Sequence, residues 1–292
     1  MDYKAVAMGL AFAFMWSSAF TSARVIVAQA PALPALALRF FLSGLLAVII
    51  ARALGQSWHL TRAQWRATIV FGICQNALYL GLFFVAMQTL EASFAAIIAS
   101  SMPLLVALAG WLGKGERLRP QAVAGLLAGL GGVVLIMGTR VSGGADLFGL
   151  CLCLVGVLAL TAATLSVRGA SSGGNVVMIV GLQMLVGSAG LMVAVAFTGI
   201  APFTITPSLL AAFAYTLLVP GLAATLIWFV LVNRIGPTRA ATFHFLNPVF
   251  GVAIAFMILG EQVHLLDVVG VVIVTLGILA VQLSKTVPSP PS

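Results

Sequence analysis

The chain has 292 residues, 62% of them hydrophobic and 7% charged, with a net charge of +8 and a mean hydropathy of +1.19. That balance excludes an ordinary soluble surface and describes a polytopic membrane protein. The fourteen Lys and Arg residues stand singly or in small groups between apolar runs, so they read as topology signals and not as a nucleic-acid patch.

In chain order, apolar windows mark ten spans, near 5–26, 34–54, 67–88, 92–113, 121–138, 146–167, 175–197, 208–232, 238–259 and 266–284. Backbone groups in lipid have to be satisfied within each segment, so the expected fold is an all-α integral membrane protein. The first run ends near Ala28-Gln29-Ala30, which imitates a signal-peptidase site, but its length and the following Pro31 favour a span over a cleaved leader. Short separators carry turn or charge signals, among them Pro31 and Pro34, Gln56 to Arg66, Glu91, Lys114 to Pro120, Ser171 to Gly174 and Glu261 to Asp267. The tail 288–292 reads as disordered. Cys74, Cys151 and Cys153 lie inside apolar segments without metal-ligand spacing, so packing is expected of them, with no metal and no cofactor.

The chain also repeats itself. A shift of 145 positions places Ala95-Ala96 on Ala240-Ala241, Pro103 on Pro248, Gly115-Glu116 on Gly260-Glu261, Gly125 on Gly270 and Gly132 on Gly277. Two five-helix repeats, 1–145 and 146–287, are therefore expected, and five spans per half is odd, so the second repeat is inverted. Alternate loops agree: eleven Lys and Arg residues fall on one side and Arg140 alone on the other, which places both termini in the cytoplasm.

Enzyme chemistry is not visible, because all six acidic residues lie at the terminus, in turns or at span ends. The glycine run from Gly125 to Gly132 resembles a dinucleotide loop only superficially, and within an apolar helix it reads as small-residue packing. What remains is a set of neutral polar and aromatic residues at membrane depth. Gln75, Asn76, Tyr79 and Phe83 share a face of the third span, and either contact substrate or hydrogen-bond between helices. Ser100 and Ser101 precede Pro103; His244 and Asn247 precede Pro248. Each pair lines a proline-weakened point, either as substrate ligands or as local support, and the two prolines are expected to flex during alternating access. Trp16, Ser17 and Phe20 in the first span and Trp228 in the eighth are candidates for a cavity wall or for plain core packing. Arg24 and Arg39 stand near the outer ends of their spans, where both are expected to snorkel, with an outer gate toward Glu91 as a further option.

The doubled hairpin, from Ala95-Ala96 through Pro103 to Gly115-Glu116 and from Asn247-Pro248 to Gly260-Glu261, together with Pro34 to Arg39-Phe40, resembles the EamA family of the drug/metabolite transporter superfamily. Within it, the chain is similar to amino-acid exporters of the YddG type. The resemblance bears on Arg39, Pro103, Glu116, Pro248 and Glu261, and implies two inverted five-helix repeats around a central cavity. It also implies export of small metabolites from the bacterial cytoplasm through the inner membrane. The first span lacks the acid that small multidrug exporters use for cations, and no basic residue is expected at mid-membrane depth for a phosphorylated substrate. The expectation is a monomeric carrier of neutral, hydrophobic or aromatic amino acids, with the lipid bilayer and a small molecule as its partners and no nucleic acid. A broader drug or metabolite exporter is the alternative, and a membrane scaffold or membrane enzyme the alternative of another class.

Overall fold

The computed structural model describes residues 2–114, 119–142, 144, 146–166, 175–235, 240 and 242–285, and every regular element among them is helical. The chain runs through α1 (Tyr3–Val27), α2 (Ala32–Ala53) and α3 (Arg62–Phe71), which continues through a π-helical segment, Gly72–Tyr79, into α4 (Leu80–Ala86). Next come α5 (Ala92–Ser100), α6 (Met102–Lys114), α7 (Pro120–Ser142), α8 (Leu147–Ser166) and α9 (Val176–Thr198). A second π-helical segment, Leu217–Ala223, joins α10 (Pro207–Thr216) to α11 (Ala224–Ile235). A 3-10 turn, Thr242–Leu246, then leads into the two closing helices, Asn247–Leu259 and Leu265–Lys285. Eight of these stretches are long and apolar enough to cross a membrane, and two shorter apolar helices, Phe243–Leu259 and Leu265–Val281, make ten among the described residues. Outward-facing Phe197, Leu112 and Met257 are each more than two-thirds exposed, as a surface facing lipid requires. The expected turn residues Gly115 and Glu116 and the tail 288–292 lie outside the described residues.

Local chemistry moved one boundary. The third membrane helix starts at Arg62 and not near residue 67, because Thr61 and Gln64 form a reciprocal capping box that satisfies two orphan N–H groups.

The repeat is visible in the irregularities. The π-helical segments begin at Gly72 and Leu217, 145 positions apart, and the helix breaks at Ser101 and Leu246 keep the same spacing. In the second copy Pro220 supplies no N–H, so the Thr216 carbonyl loses its usual donor four residues on. Pro103 and Pro248 do not sit in the middle of continuous helices as the sequence suggested. Each is the second residue of a new helical segment, where a missing N–H costs nothing.

Contacts divide the chain into two compact units. The first comprises Met1–Thr21, Glu91–Leu147 and Ile227–Ser292. Within it α7 packs on the closing helix Leu265–Lys285 through glycines: a Cβ on Gly125 would lie 2.9 Å from the Gly277 carbonyl, and one on Gly277 only 2.6 Å from the Gly125 carbonyl. The equivalent pair, Gly270 and Gly132, approaches to 3.4 Å by the same measure. Equivalent residues therefore exchange roles across the contact, as a two-fold relation demands. Gly125, Gly132 and Ile136 meet Gly277, Ile273 and Gly270 in descending order, so these two repeat-equivalent helices run antiparallel and the repeats are inverted. The glycine run is thus a helix-packing stripe. Gly277→Leu is expected to cost about 1–3 kcal/mol of stability, while Gly131→Ala, where a Cβ would meet nothing within 4 Å, should leave it unchanged or slightly raised. Thermal unfolding of the two purified variants checks this, and equal behaviour would contradict it.

The Gly260-Glu261 turn has a physical reason in this unit. Gly260 ends its helix in the left-handed region at φ 67°, and its N–H bonds the Phe256 carbonyl. The Glu261 carboxylate then accepts from the backbone N–H groups of Ala92 at 2.7 Å and Ser93 at 2.9 Å, capping α5 from 168 to 169 residues away. Glu261→Ala is expected to destabilise the protein by about 0.5–2 kcal/mol, with Glu261→Gln retaining part of the effect. Unchanged thermal stability of both variants would show that the cap contributes nothing. In the same unit, Asp2 pairs with Arg234 at 2.6 Å, and that contact holds its carboxyl below the ordinary carboxylate range.

The second unit comprises Ser22–Leu90 and Phe148–Leu226. Its repeat-equivalent helices α2 and α9 also cross on glycines, Gly44 and Gly181, and the Ser188 hydroxyl donates to the Ala37 carbonyl at 2.8 Å. Contacts from 37 to 44 on one helix and from 188 down to 181 on the other again make the pair antiparallel. Side chains of the connecting segment fasten the ends, with Gln56 accepting from the Met178 N–H at 3.0 Å and Asn175 from the Ser57 N–H at 3.1 Å.

Candidate substrate site

The first unit gathers several of the expected residues. Irregular backbone at Thr242–Leu246 turns His244 toward the aromatic stripe of α1 and the end of α11. Phe12 meets the His244 ring edge-on at 5.3 Å, Trp228 meets it at 5.1 Å, and the Phe12 and Trp228 rings lie 4.7 Å apart. Trp16, one turn on from Phe12, packs against the Phe12 ring at 5.7 Å. Phe12 was not singled out in the sequence, although its spacing of four from Trp16 and eight from Phe20 was the available signal.

Polar groups are set into this aromatic wall. The Asn247 amide nitrogen lies 2.9 Å from His244 Nδ1, which as acceptor keeps the ring proton on Nε2. The Ser17 hydroxyl donates to the Asn247 backbone carbonyl at 3.2 Å, anchoring α1 to the turn. Asn247 is 6% exposed, and its side-chain oxygen is buried without a partner. An open acceptor in a unit that also holds this aromatic cluster suits an ammonium or another N–H group carried by an apolar molecule.

Other expected residues in this unit have local work. Ser100 and Ser101 donate to the carbonyls of Ala96 at 2.6 Å and Ile98 at 2.7 Å, closing the end of α5 before Pro103. Phe20 is buried, and Glu91 is the N-cap residue of α5.

In the second unit Gln75, Asn76 and Tyr79 fall within the π-helical segment, so the regular α face expected from their spacing is not formed. Asn76, Tyr79 and Phe83 are buried, while Gln75 is partly exposed. Asn76 donates to the Gln183 carbonyl of α9 at 3.0 Å, and Tyr79 packs on Phe83 with ring centroids 4.6 Å apart. Gly156 leaves room for that ring, since a Cβ there would lie 2.8 Å from Phe83. The two arginines differ from expectation in opposite ways. Arg24 turns back to the end of α4, donating to the carbonyls of Met87 and Gln88, the latter at 2.9 Å, where a cation complements the helix terminus. Arg39 does not snorkel. It is 6% exposed and lies over the Phe40 ring at 4.7 Å, held inside the protein beside Gly221 of the π-helical segment Leu217–Ala223, which packs on α2.

Among the described residues no three His, Cys, Asp or Glu side chains converge as a metal site. The model of the EamA-like transporter family matches residues 3–138 and again residues 147–283. The chain belongs to the EamA-like transporter family.

This EamA chain is 25% identical to the uncharacterized transporter YvbV of Bacillus subtilis over 280 residues, covering 93% of this chain and 90% of that one. It is 22% identical to the uncharacterized transporter YoaV of the same organism over 274 residues, or 90% and 91% of the two chains. A segment of 107 residues, 37% of each chain, is 35% identical to the aromatic amino acid exporter YddG of Ancylobacter novellus. A crystal structure 20% identical in sequence superposes with a TM-score of 0.64, covering 96% of this chain and 98% of the other, and shares the fold. The EamA chain is accordingly a multi-pass membrane transporter of the drug/metabolite superfamily and not an enzyme.

Proposed function

We propose that this transporter exports aromatic and other hydrophobic amino acids from the bacterial cytoplasm by alternating access. The observation that carries the reading is the aromatic cluster in which Phe12 and Trp228 meet His244 and Trp16 packs on Phe12, together with the unpartnered oxygen of Asn247, the neighbour of His244. Rings contact the apolar side chain, and the amide oxygen accepts from the ammonium group. The partial likeness to an aromatic amino acid exporter supports the same substrate class.

The working unit is a monomer in the inner membrane with both termini cytoplasmic, built from repeats 1–145 and 146–287. Within the first unit Ser100 and Ser101 support the break before Pro103, within the second Gln75, Tyr79 and Phe83 are further substrate contacts, and the helix breaks before Pro103 and Pro248 serve as hinges. In this reading flux follows the substrate gradient without a coupled ion. Cells preloaded with labelled phenylalanine should lose it faster when they express the wild-type chain than when they express Trp228→Ala. Equal efflux from both, at matched membrane amounts, would contradict this reading.

A further inference from the structure

Arg39 is the eighth residue of α2, which begins at Ala32. At helical rise it lies about 10 Å in from that end of the helix. It is 6% exposed, and its Nε is buried with no hydrogen-bond partner. Ser43, one turn further on the same face, is 1% exposed, and its hydroxyl is also buried without a partner. Both side chains converge on one point. A Cβ added to Gly221 would lie 3.5 Å from Ser43 Oγ and 3.8 Å from Arg39 Nη2. Gly221 follows Pro220 in the π-helical segment, so this wall of the space carries no side chain, and a Cβ there would lie 3.0 Å from the Thr216 carbonyl.

A guanidinium held out of water needs a counter-charge and hydrogen-bond acceptors, since burying an unpaired charge is among the costliest things a fold can do. Arg39 is placed against a hydroxyl and a glycine instead of a carboxylate. Arg24, by contrast, is committed to two backbone carbonyls. We propose that Arg39 and Ser43, facing Gly221, form a binding site for the carboxylate group of the transported substrate. The planar guanidinium offers paired N–H donors that match the two oxygens of a carboxylate, and Ser43 supplies a third donor. One cation suits a monoanion, whereas a phosphate dianion calls for more positive charge. The proposal rests on the amino-acid reading for the identity of the substrate, but the site itself requires only a carboxylate.

Ligand protection against thermal unfolding, measured on the purified full-length protein in detergent, tests it. The probes are L-phenylalanine, 3-phenylpropionate, L-phenylalaninamide and phenethylamine. Wild-type protein should be protected by the first two at clearly lower concentrations than by the amide or the amine, which keep the ring and the ammonium group but lack the carboxylate. Arg39→Gln should weaken that protection at least tenfold in ligand concentration, Arg39→Lys should recover part of it, and Ser43→Ala should weaken it about fivefold. If Arg39→Gln does not fold, Arg39→Lys and Ser43→Ala decide. Carboxylates that protect Arg39→Gln or Ser43→Ala as well as wild type overturn the site, as does equal protection by the amide, or no protection by either carboxylate. If phenylalanine binds regardless of Arg39, the site falls and the amino-acid reading stands. If 3-phenylpropionate protects through Arg39 and no amino acid does, the site stands and the amino-acid reading falls.

Discussion

Replacing Asn247 by Ala is expected to lower amino-acid transport by about 10- to 100-fold, the equivalent of one hydrogen bond to a charged group. The substitution removes the side-chain oxygen that is buried without a partner, and also the amide that orients His244. It leaves the backbone carbonyl that accepts from Ser17, so α1 stays anchored to the turn, and the Phe12, Trp228 and His244 rings keep their mutual contacts. Stability should therefore change less than transport. Flux normalised to protein amount, with unfolding followed on the same preparation, separates the two effects. Undiminished flux through Asn247→Ala would reduce the amide to a packing group.

The second large effect is expected from the prolines. Each stands as the second residue of a helical segment that follows an interruption, a turn at Ser101 in one repeat and the 3-10 turn Thr242–Leu246 in the other. Alanine at either position supplies an N–H that can bond the carbonyl four residues back, that of Ala99 or of His244, and so favours one continuous helix across the break. We expect Pro103→Ala and Pro248→Ala each to slow transport several-fold and the double variant at least tenfold, with thermal stability held or raised, because alanine is the better helix former. A double variant that transports at the wild-type rate would remove the breaks from the mechanism.

Much of the architecture could be read from the sequence, because it depends on properties that repeat or persist along the chain. Ten apolar windows, the 145-residue offset and the packing glycines survive among the described residues as ten apolar helical stretches, antiparallel equivalent pairs and glycine crossings, whereas of the two Gly-Glu turns only Gly260-Glu261 is described. Trp16, Ser17, Trp228, His244 and Asn247 were singled out as polar or aromatic residues in apolar helices, and they do meet within one unit. Phe12 escaped because one more phenylalanine in an apolar helix carries no contrast. The π-helical segments escaped because a shift of backbone hydrogen bonds has no residue signature beyond Pro220, and the first copy lacks even that. The contact between Glu261 and the start of α5 spans more than 160 residues, which local spacing cannot reveal. Arg39 departs from the expected position for a different reason. Distance from the helix end favoured snorkelling, but the covering of α2 by other elements is a tertiary fact, and it decides where the side chain lies.

The most direct measurement is uptake into liposomes containing only the purified protein, with radiolabelled amino acids offered with and without a proton gradient. Saturable flux of phenylalanine, tryptophan or leucine is predicted, independent of the gradient and reduced at least tenfold by Asn247→Ala. Folded, reconstituted protein that moves none of these amino acids, or moves them equally well without the Asn247 amide, would contradict a carrier working through the aromatic site.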